Sequence, residues 1–127
     1  MKKGPKFRSG FEKKVWEEAE GPLLHEPDDP DIRYTTTSRY IPDFVITTNG
    51  IIVETKGYFP PRDRGKMLKV KKQNPSLDIR FVFQRPNNKL TKSKNSIMYW
   101  QWAERHGFKW SEGSIPKAWW KEKRKRK

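Results

Sequence analysis

The chain contains no cysteine, so neither a disulfide nor a thiolate metal site can stabilise its fold. Long apolar runs are also missing. The first residues, MKKGPKFRSG, offer no apolar stretch to serve as a signal peptide, and no segment is long enough to cross a bilayer. The expectation is a soluble, intracellular protein with no membrane partner. Acidic residues are scarce, with 15 Asp and Glu against 29 Lys and Arg, and apolar residues make up only 32% of the chain. Six tryptophans and seven phenylalanines offset that lean composition, because each aromatic ring buries a large area. At 127 residues there is room for one compact domain and not for a second.

Positive charge is plentiful. A net charge of +14 suits a polyanion-binding protein, since each neutralised phosphate releases a condensed counterion whatever the base sequence. Nucleic acid is therefore the leading partner, ahead of a membrane surface, because no basic amphipathic helix dominates the chain. Trp119 and Trp120 adjoin the basic run KEKRKRK and are expected to dock that tail onto the core.

Local patterns divide the chain into a basic arm over residues 1–6, a single folded domain over 7–122 and a basic tail over 123–127. "SGFEKKVWEEAEG" predicts a helix stopped by Gly21, with Ser9 and Glu12 at capping-box spacing and Phe11, Val15 and Ala19 as its inward stripe. "HEPDDPDIRYTTTSRY" predicts an extended connector leading into a strand, and a hairpin follows. "PPRDRGKMLKVKKQNP" predicts a basic helix ended by Pro75, "LDIRFVFQ" a further strand, "SIMYWQWAERHG" a helix with Ser and Gly ends, and "IPKAWWKE" a last short helix. The order describes an α/β domain, a small mixed β-sheet flanked by helices. His25, in the Pro-rich connector, and His106, before Gly107, read as capping or surface residues.

The hairpin segment PDFVITTNGIIVETK carries Asp43, Glu54 and Lys56 among apolar residues. With Asn49 and Gly50 as the two central turn residues, Val45 faces Glu54 and Asp43 faces Lys56. A longer loop using all of "TTNG" places Asp43 opposite Glu54; being even, it keeps the three side chains on one face, whereas a three-residue loop separates Asp43 from the other two. Burying carboxylates costs several kcal/mol each unless they are paired or hold a cation. A divalent ion answers that cost, and oxygen ligands from Asp43 and Glu54 suit Mg²⁺, with Lys56 beside it to orient water or offset phosphate charge. A structural salt bridge to Lys56 accounts for the three residues equally well.

Beyond those residues, the segments "FRSGFEKKV", "YIPDFVITTNGIIVETKG", "PSLDIRFVF", "ERHGFKW" and "IPKAWWKE" stand in collinear order over most of residues 7 to 122. The arrangement resembles the PD...(D/E)xK nuclease superfamily and, within it, the bacteriophage endonuclease I family of Holliday-junction resolving enzymes. The resemblance implies a restriction-endonuclease-like fold and a Mg²⁺-dependent endonuclease, with Mn²⁺ as a substitute and no small-molecule cofactor, that cuts four-way and other branched DNA. It implies that Asp43, Glu54 and the main-chain carbonyl of Thr55 bind metal, that Lys56 is the catalytic lysine, and that Glu12 is a further active-site acid and metal ligand. It also implies an intertwined, domain-swapped homodimer whose bridge lies near residues 27–37, so that Glu12 of one subunit completes the site of the other. If the chain is phage-encoded, its place is the cytoplasm of an infected bacterial host. Backbone contacts to DNA would be spread over Arg8, Lys13, Lys14, Arg62, Arg64, Lys66, Lys89, Lys92 and Lys94. Two other readings remain, a noncatalytic basic nucleic-acid-binding protein and a sequence-specific nuclease of the same superfamily.

Overall fold

The computed structural model describes residue 7, residues 9–26 and residues 40–124. The expected arm at 1–6, Arg8, the bridge at 27–37 and residues 125–127 of the tail lie outside the described residues.

Helix α1 (Gly10–Glu17) starts where expected, because the Ser9 hydroxyl accepts the Glu12 backbone N–H at 3.0 Å. It ends before Gly21, where the Glu18 N–H bonds back to the Lys14 carbonyl at 3.0 Å, so Ala19 falls beyond the helix. Strand β1 (Leu23–His25) was not anticipated: three residues are too few to show a period, and its partner lies about twenty residues away along the chain. β2 (Phe44–Ile46) pairs antiparallel with β1 on one edge and with β3 (Ile52–Lys56) on the other. Helix α2 (Pro61–Gln73) then crosses over to β4 (Ile79–Phe83), parallel to β3, and α3 (Tyr99–Arg105) to β5 (Lys109–Glu112), parallel to β4. The five strands lie in chain order, and α4 (Lys117–Lys121) follows them.

Helix α3 begins two residues later than a Ser96 cap suggested, because Gln101 turns back to accept the Met98 N–H at 2.9 Å. Strand β5 was missed as well; its two apolar neighbours in "GFKWSE" divide, Phe108 entering the core and Trp110 remaining half-buried beside Phe83.

The sheet has a core on each face. On one, Ile52, Phe81 and Phe83 meet Met67 and Val70 of α2 and Trp102 of α3, with Phe59 at the centre of four aromatic contacts. On the other, Phe44, Val53 and Val82 meet Phe11 and Val15 of α1 and Trp119 of α4. β4 is therefore buried along its whole length, helices covering both of its faces.

The hairpin between β2 and β3 does not close with a two-residue turn. Phe44 pairs with Val53 and Val45 with Ile52, and the Ile46 N–H donates to the Ile51 carbonyl at 2.9 Å, so all of Thr47–Gly50 forms the loop. The reason is tertiary. Asn49 accepts the Ile51 N–H at 3.0 Å through its side-chain oxygen and donates through its amide to the carbonyls of Trp119 and Glu122, at 2.8 and 3.0 Å. Gly50 supplies the positive φ of 78° that this loop requires.

The chain's end is held by a second contact. Arg80, fully buried in β4, donates to both oxygens of Asp78 and both oxygens of Glu122, and its guanidinium stands 5.2 Å from the Trp119 ring centre. Burial alone would lower the Arg80 pKa, but hydrogen bonds to Glu122 and Asp78 hold it above its usual value; Arg80 in turn holds the Glu122 carboxyl below its own. Trp119 and Glu122 thus anchor α4 on the sheet, at the residues that lead into the basic tail. Among the described residues no helix is long and apolar enough to cross a membrane.

Candidate active site

The observed register, extended one residue past the ladder, sets Asp43 opposite Glu54, the outcome of the longer loop, and the even count gives Asp43, Glu54 and Lys56 positions of the same parity. Asp43 stands just before β2, where its carboxylate replaces a ladder partner: both the backbone N–H and the hydroxyl of Thr55 donate to Asp43 Oδ2 at 2.9 Å. Two donors on that one oxygen fix the acid at the sheet end.

Glu54, one residue along, is 4% exposed and accepts a hydrogen bond from the buried Tyr40 hydroxyl. Burial, and then the neighbouring charge of Asp43, push its pKa up from 4.5 to about 8; Lys56, the Tyr40 hydrogen bond and Lys66 pull the other way without prevailing. A carboxyl so placed stays protonated at neutral pH unless a cation enters. The salt bridge considered from sequence takes a different form, for the Lys56 ammonium pairs with Asp63 in the first turn of α2 at 3.3 Å, a residue that sequence reasoning had not singled out.

Glu12 arrives from α1. It shares with Asp43, Thr55 and Lys56 the lining of a cleft of about 440 Å³, completed by Gly57, Tyr58 and Gln84, while Glu54 lies buried behind that lining. Its local position suggested a carboxylate turned back to the helix start. Instead the carboxylate is 2% exposed and meets His25 Nε2 at 2.9 Å, so only the Ser9 half of the capping box is seen. His25 is correspondingly not a surface or capping residue: its side chain is 6% exposed, lies in β1, and packs against Phe7 and Phe44. His106 does close α3, with its ring against Trp102. Glu12, His25 and Glu26 bring one ligand atom each within 4.8 Å of one another, a grouping that could hold a metal ion.

Of the residues expected to contact DNA, Lys13 and Lys14 are exposed on α1, and Lys89, Lys92 and Lys94 on the loop after β4. Arg62 and Lys66 line a groove with Lys69 on α2, around the same Asp63 that meets Lys56; Arg64 is half-buried on that helix. Tyr40, Asp63 and His25 are the side chains holding the acids and the lysine that sequence reasoning missed. Nothing in their local spacing marks them, for each acts across the fold.

The sequence model of the family described as Phage endonuclease I matches residues 1–127. The chain belongs to the phage endonuclease I family. Among its relatives, Endonuclease I of Escherichia phage T7 is 39% identical over 123 residues, covering 94% of this chain and 81% of that protein. Endodeoxyribonuclease 1 of Enterobacteria phage T3 is 37% identical over 126 residues, covering 96% of this chain and 82% of that protein. Within this endonuclease family the buried acids gain a chemical reason, since a cleft of carboxylates beside a lysine is suited to a cation and a phosphate at once.

Proposed function

We propose that the protein is a structure-selective DNA endonuclease that resolves four-way and other branched junctions by Mg²⁺-dependent phosphodiester hydrolysis. The observation that carries this is Glu54, a buried carboxyl beside Asp43 that lacks the positive charge needed to ionise it at neutral pH. The T3 relative's name supports DNA as the substrate, and the net charge of +14 supports a polyanion.

Asp43, Glu54 and the Thr55 carbonyl would hold Mg²⁺, with Glu12 as a further acid; the ion, when bound, supplies Lewis-acid polarisation of the scissile phosphate. The donor set fits, being hard oxygen atoms with a displaced proton equilibrium on one of them. The chain's own groups do the rest. Lys56, oriented by Asp63, presents its ammonium to the charge that builds on the phosphoryl oxygens. Glu12, in the lining of the same cleft, accepts a hydrogen bond from the incoming water and aligns it with phosphorus. The water oxygen bonds to phosphorus as the P–O3′ bond breaks, leaving a 5′ phosphate and a 3′ hydroxyl. Arg62, Lys66 and Lys69 hold neighbouring phosphates without reading bases.

We further infer a homodimer in which residues 7–26 pack on the partner's sheet. The Glu26 N–H donates to the Asp43 carbonyl at 2.8 Å, so β1 and β2 adjoin where the first ends and the second begins. A hairpin there needs about two to five linking residues, yet sixteen separate Glu26 from Asp43. Such surplus length supports exchange between chains and, with it, two equivalent sites for two strands of a branched substrate.

A labelled four-way junction incubated in Mg²⁺, in Ca²⁺ or with chelator tests the activity: cutting in Mg²⁺ alone is expected, and binding without cutting in every case would favour a noncatalytic DNA-binding protein. Preference for one linear duplex site would instead favour a sequence-specific nuclease. Glu54→Ala is expected to abolish cutting and keep junction binding. For the exchange, Glu12→Ala and Glu54→Ala chains refolded together should regain part of the activity, because a mixed dimer holds one intact site; no recovery would mean that each site lies within one subunit.

A further inference from the structure

We propose that Glu12, His25 and Glu26 form a second cation site, one that takes a divalent transition-metal ion of the Zn²⁺ or Co²⁺ type in preference to Mg²⁺. The distances are those of a coordination shell. Ligand bonds of about 2.1 Å place neighbouring donor atoms about 3.0 Å apart at right angles and about 3.4 Å apart at tetrahedral angles. His25 Nε2 stands 2.9 Å from Glu12 Oε2 and 3.3 Å from Glu26 Oε2, and the three ligand atoms all lie within 4.8 Å of one another.

The setting suits an ion. Glu12 and His25 are almost wholly buried, at 2% and 6%, while Glu26 at 30% leaves a route from solvent. The imidazole is wedged between Phe7 at 4.7 Å and Phe44 at 5.4 Å, which limits its freedom to turn away. A nitrogen donor between two carboxylates favours Zn²⁺ or Co²⁺, whereas Mg²⁺ prefers an all-oxygen shell that keeps its waters. His25 and Glu26 do not line the Asp43 cleft, and Glu12 alone is shared with it.

All three ligands lie within one stretch of fifteen residues, from 12 to 26, so the site remains whole whether that stretch packs on its own sheet or on a partner's. It therefore does not depend on the exchange argued above, nor on the nuclease reaction. An ion here would tie α1 to β1 and fix the Glu12 carboxylate at the wall of the cleft.

The test uses the full chain carrying Asp43→Asn and Glu54→Gln, which removes the two carboxylates that belong to the other candidate site alone. Titration calorimetry with ZnCl₂ should show one equivalent bound, and Co²⁺ should give a visible ligand-field spectrum. Adding His25→Gln should weaken binding beyond the about 10–100-fold lost when only an outer partner of a metal ligand is removed. Glu26→Gln, at a partly exposed position that tolerates the change, should weaken it at least about tenfold, and His106→Gln should leave it unchanged. Circular dichroism checks that each variant is folded. Zn²⁺ binding that survives both His25→Gln and Glu26→Gln, ready displacement of Zn²⁺ by equimolar Mg²⁺, or no binding at all would overturn the proposal; the last would make His25 a structural partner of the two acids and no ligand.

Discussion

Replacing Glu54 by glutamine should make the metal-free protein more stable, and more so the higher the pH. The folded-state pKa of Glu54, about 8, lies above its ordinary value of 4.5, so between those two values the folded chain binds more protons than the unfolded one. Stability therefore falls as pH rises through that window, and the penalty is complete above about pH 8. At 1.36 kcal/mol per pKa unit, burying this carboxyl rather than leaving it free to ionise costs under about 1 kcal/mol at pH 5, about 3 at pH 7 and about 4–5 at pH 9. Those are large fractions of the total stability of a domain, typically about 5–15 kcal/mol. Glutamine has nearly the same shape, can accept the Tyr40 hydrogen bond through its amide oxygen, and never ionises. Urea unfolding in EDTA at pH 5, 7 and 9 measures the gap between the Glu54→Gln variant and the wild-type chain, which should widen by about 4 kcal/mol across the range. Saturating Mg²⁺ should close most of that gap at pH 9 by stabilising the wild type selectively. A gap that stays constant within about 1 kcal/mol would refute the reasoning, because Glu54 would then be an ordinary paired carboxylate.

Three further outcomes are expected. Glu122→Ala removes half of the acidic cradle of buried Arg80 and should cost about 1.5–3 kcal/mol in urea unfolding, more than an exposed ion pair provides; a loss under about 0.5 would mean that Asp78 alone suffices. Phe59→Ala opens the aromatic cluster between α2, α3 and the sheet and should cost about 3–5 kcal/mol, read from the shift in unfolding midpoint at unchanged slope. Arg62→Ala with Lys69→Ala should weaken junction binding and lower the slope of log affinity against log salt by about one per residue, leaving the thermal midpoint nearly unchanged; an unaltered slope would place the DNA elsewhere.

Much of the site was legible in the chain itself. The even spacing between Asp43, Glu54 and Lys56 across a hairpin commits them to one face under either loop length, since side-chain direction alternates with period two. Ser9 before an amphipathic run starts α1, and the β-branched and aromatic residues around Arg80 at 79–83 form β4, because these signals act between residues close in sequence. Charge was legible too, being a sum over residues that needs no geometry.

Partners across the fold were not legible. Whether Asn49 and Gly50 made a two-residue turn or joined a four-residue loop depended on the carbonyls of Trp119 and Glu122, about seventy residues away. β1 and β5 owe their strand state to β2 and β4 rather than to any pattern of their own. The Glu12 carboxylate turned to His25 because packing buried it there, at a place where a local cap was the nearer alternative. The sequence by itself determined which charges the hairpin carries and that Glu54 and Lys56 share a face, as covalent geometry fixes that alternation, while the face of Asp43 waited on the length of the loop. Only the tertiary structure decided that Glu54 would lie dry beneath Tyr40 and beside Asp43, because desolvation is a property of what packs around a group and of nothing written in its neighbours along the chain.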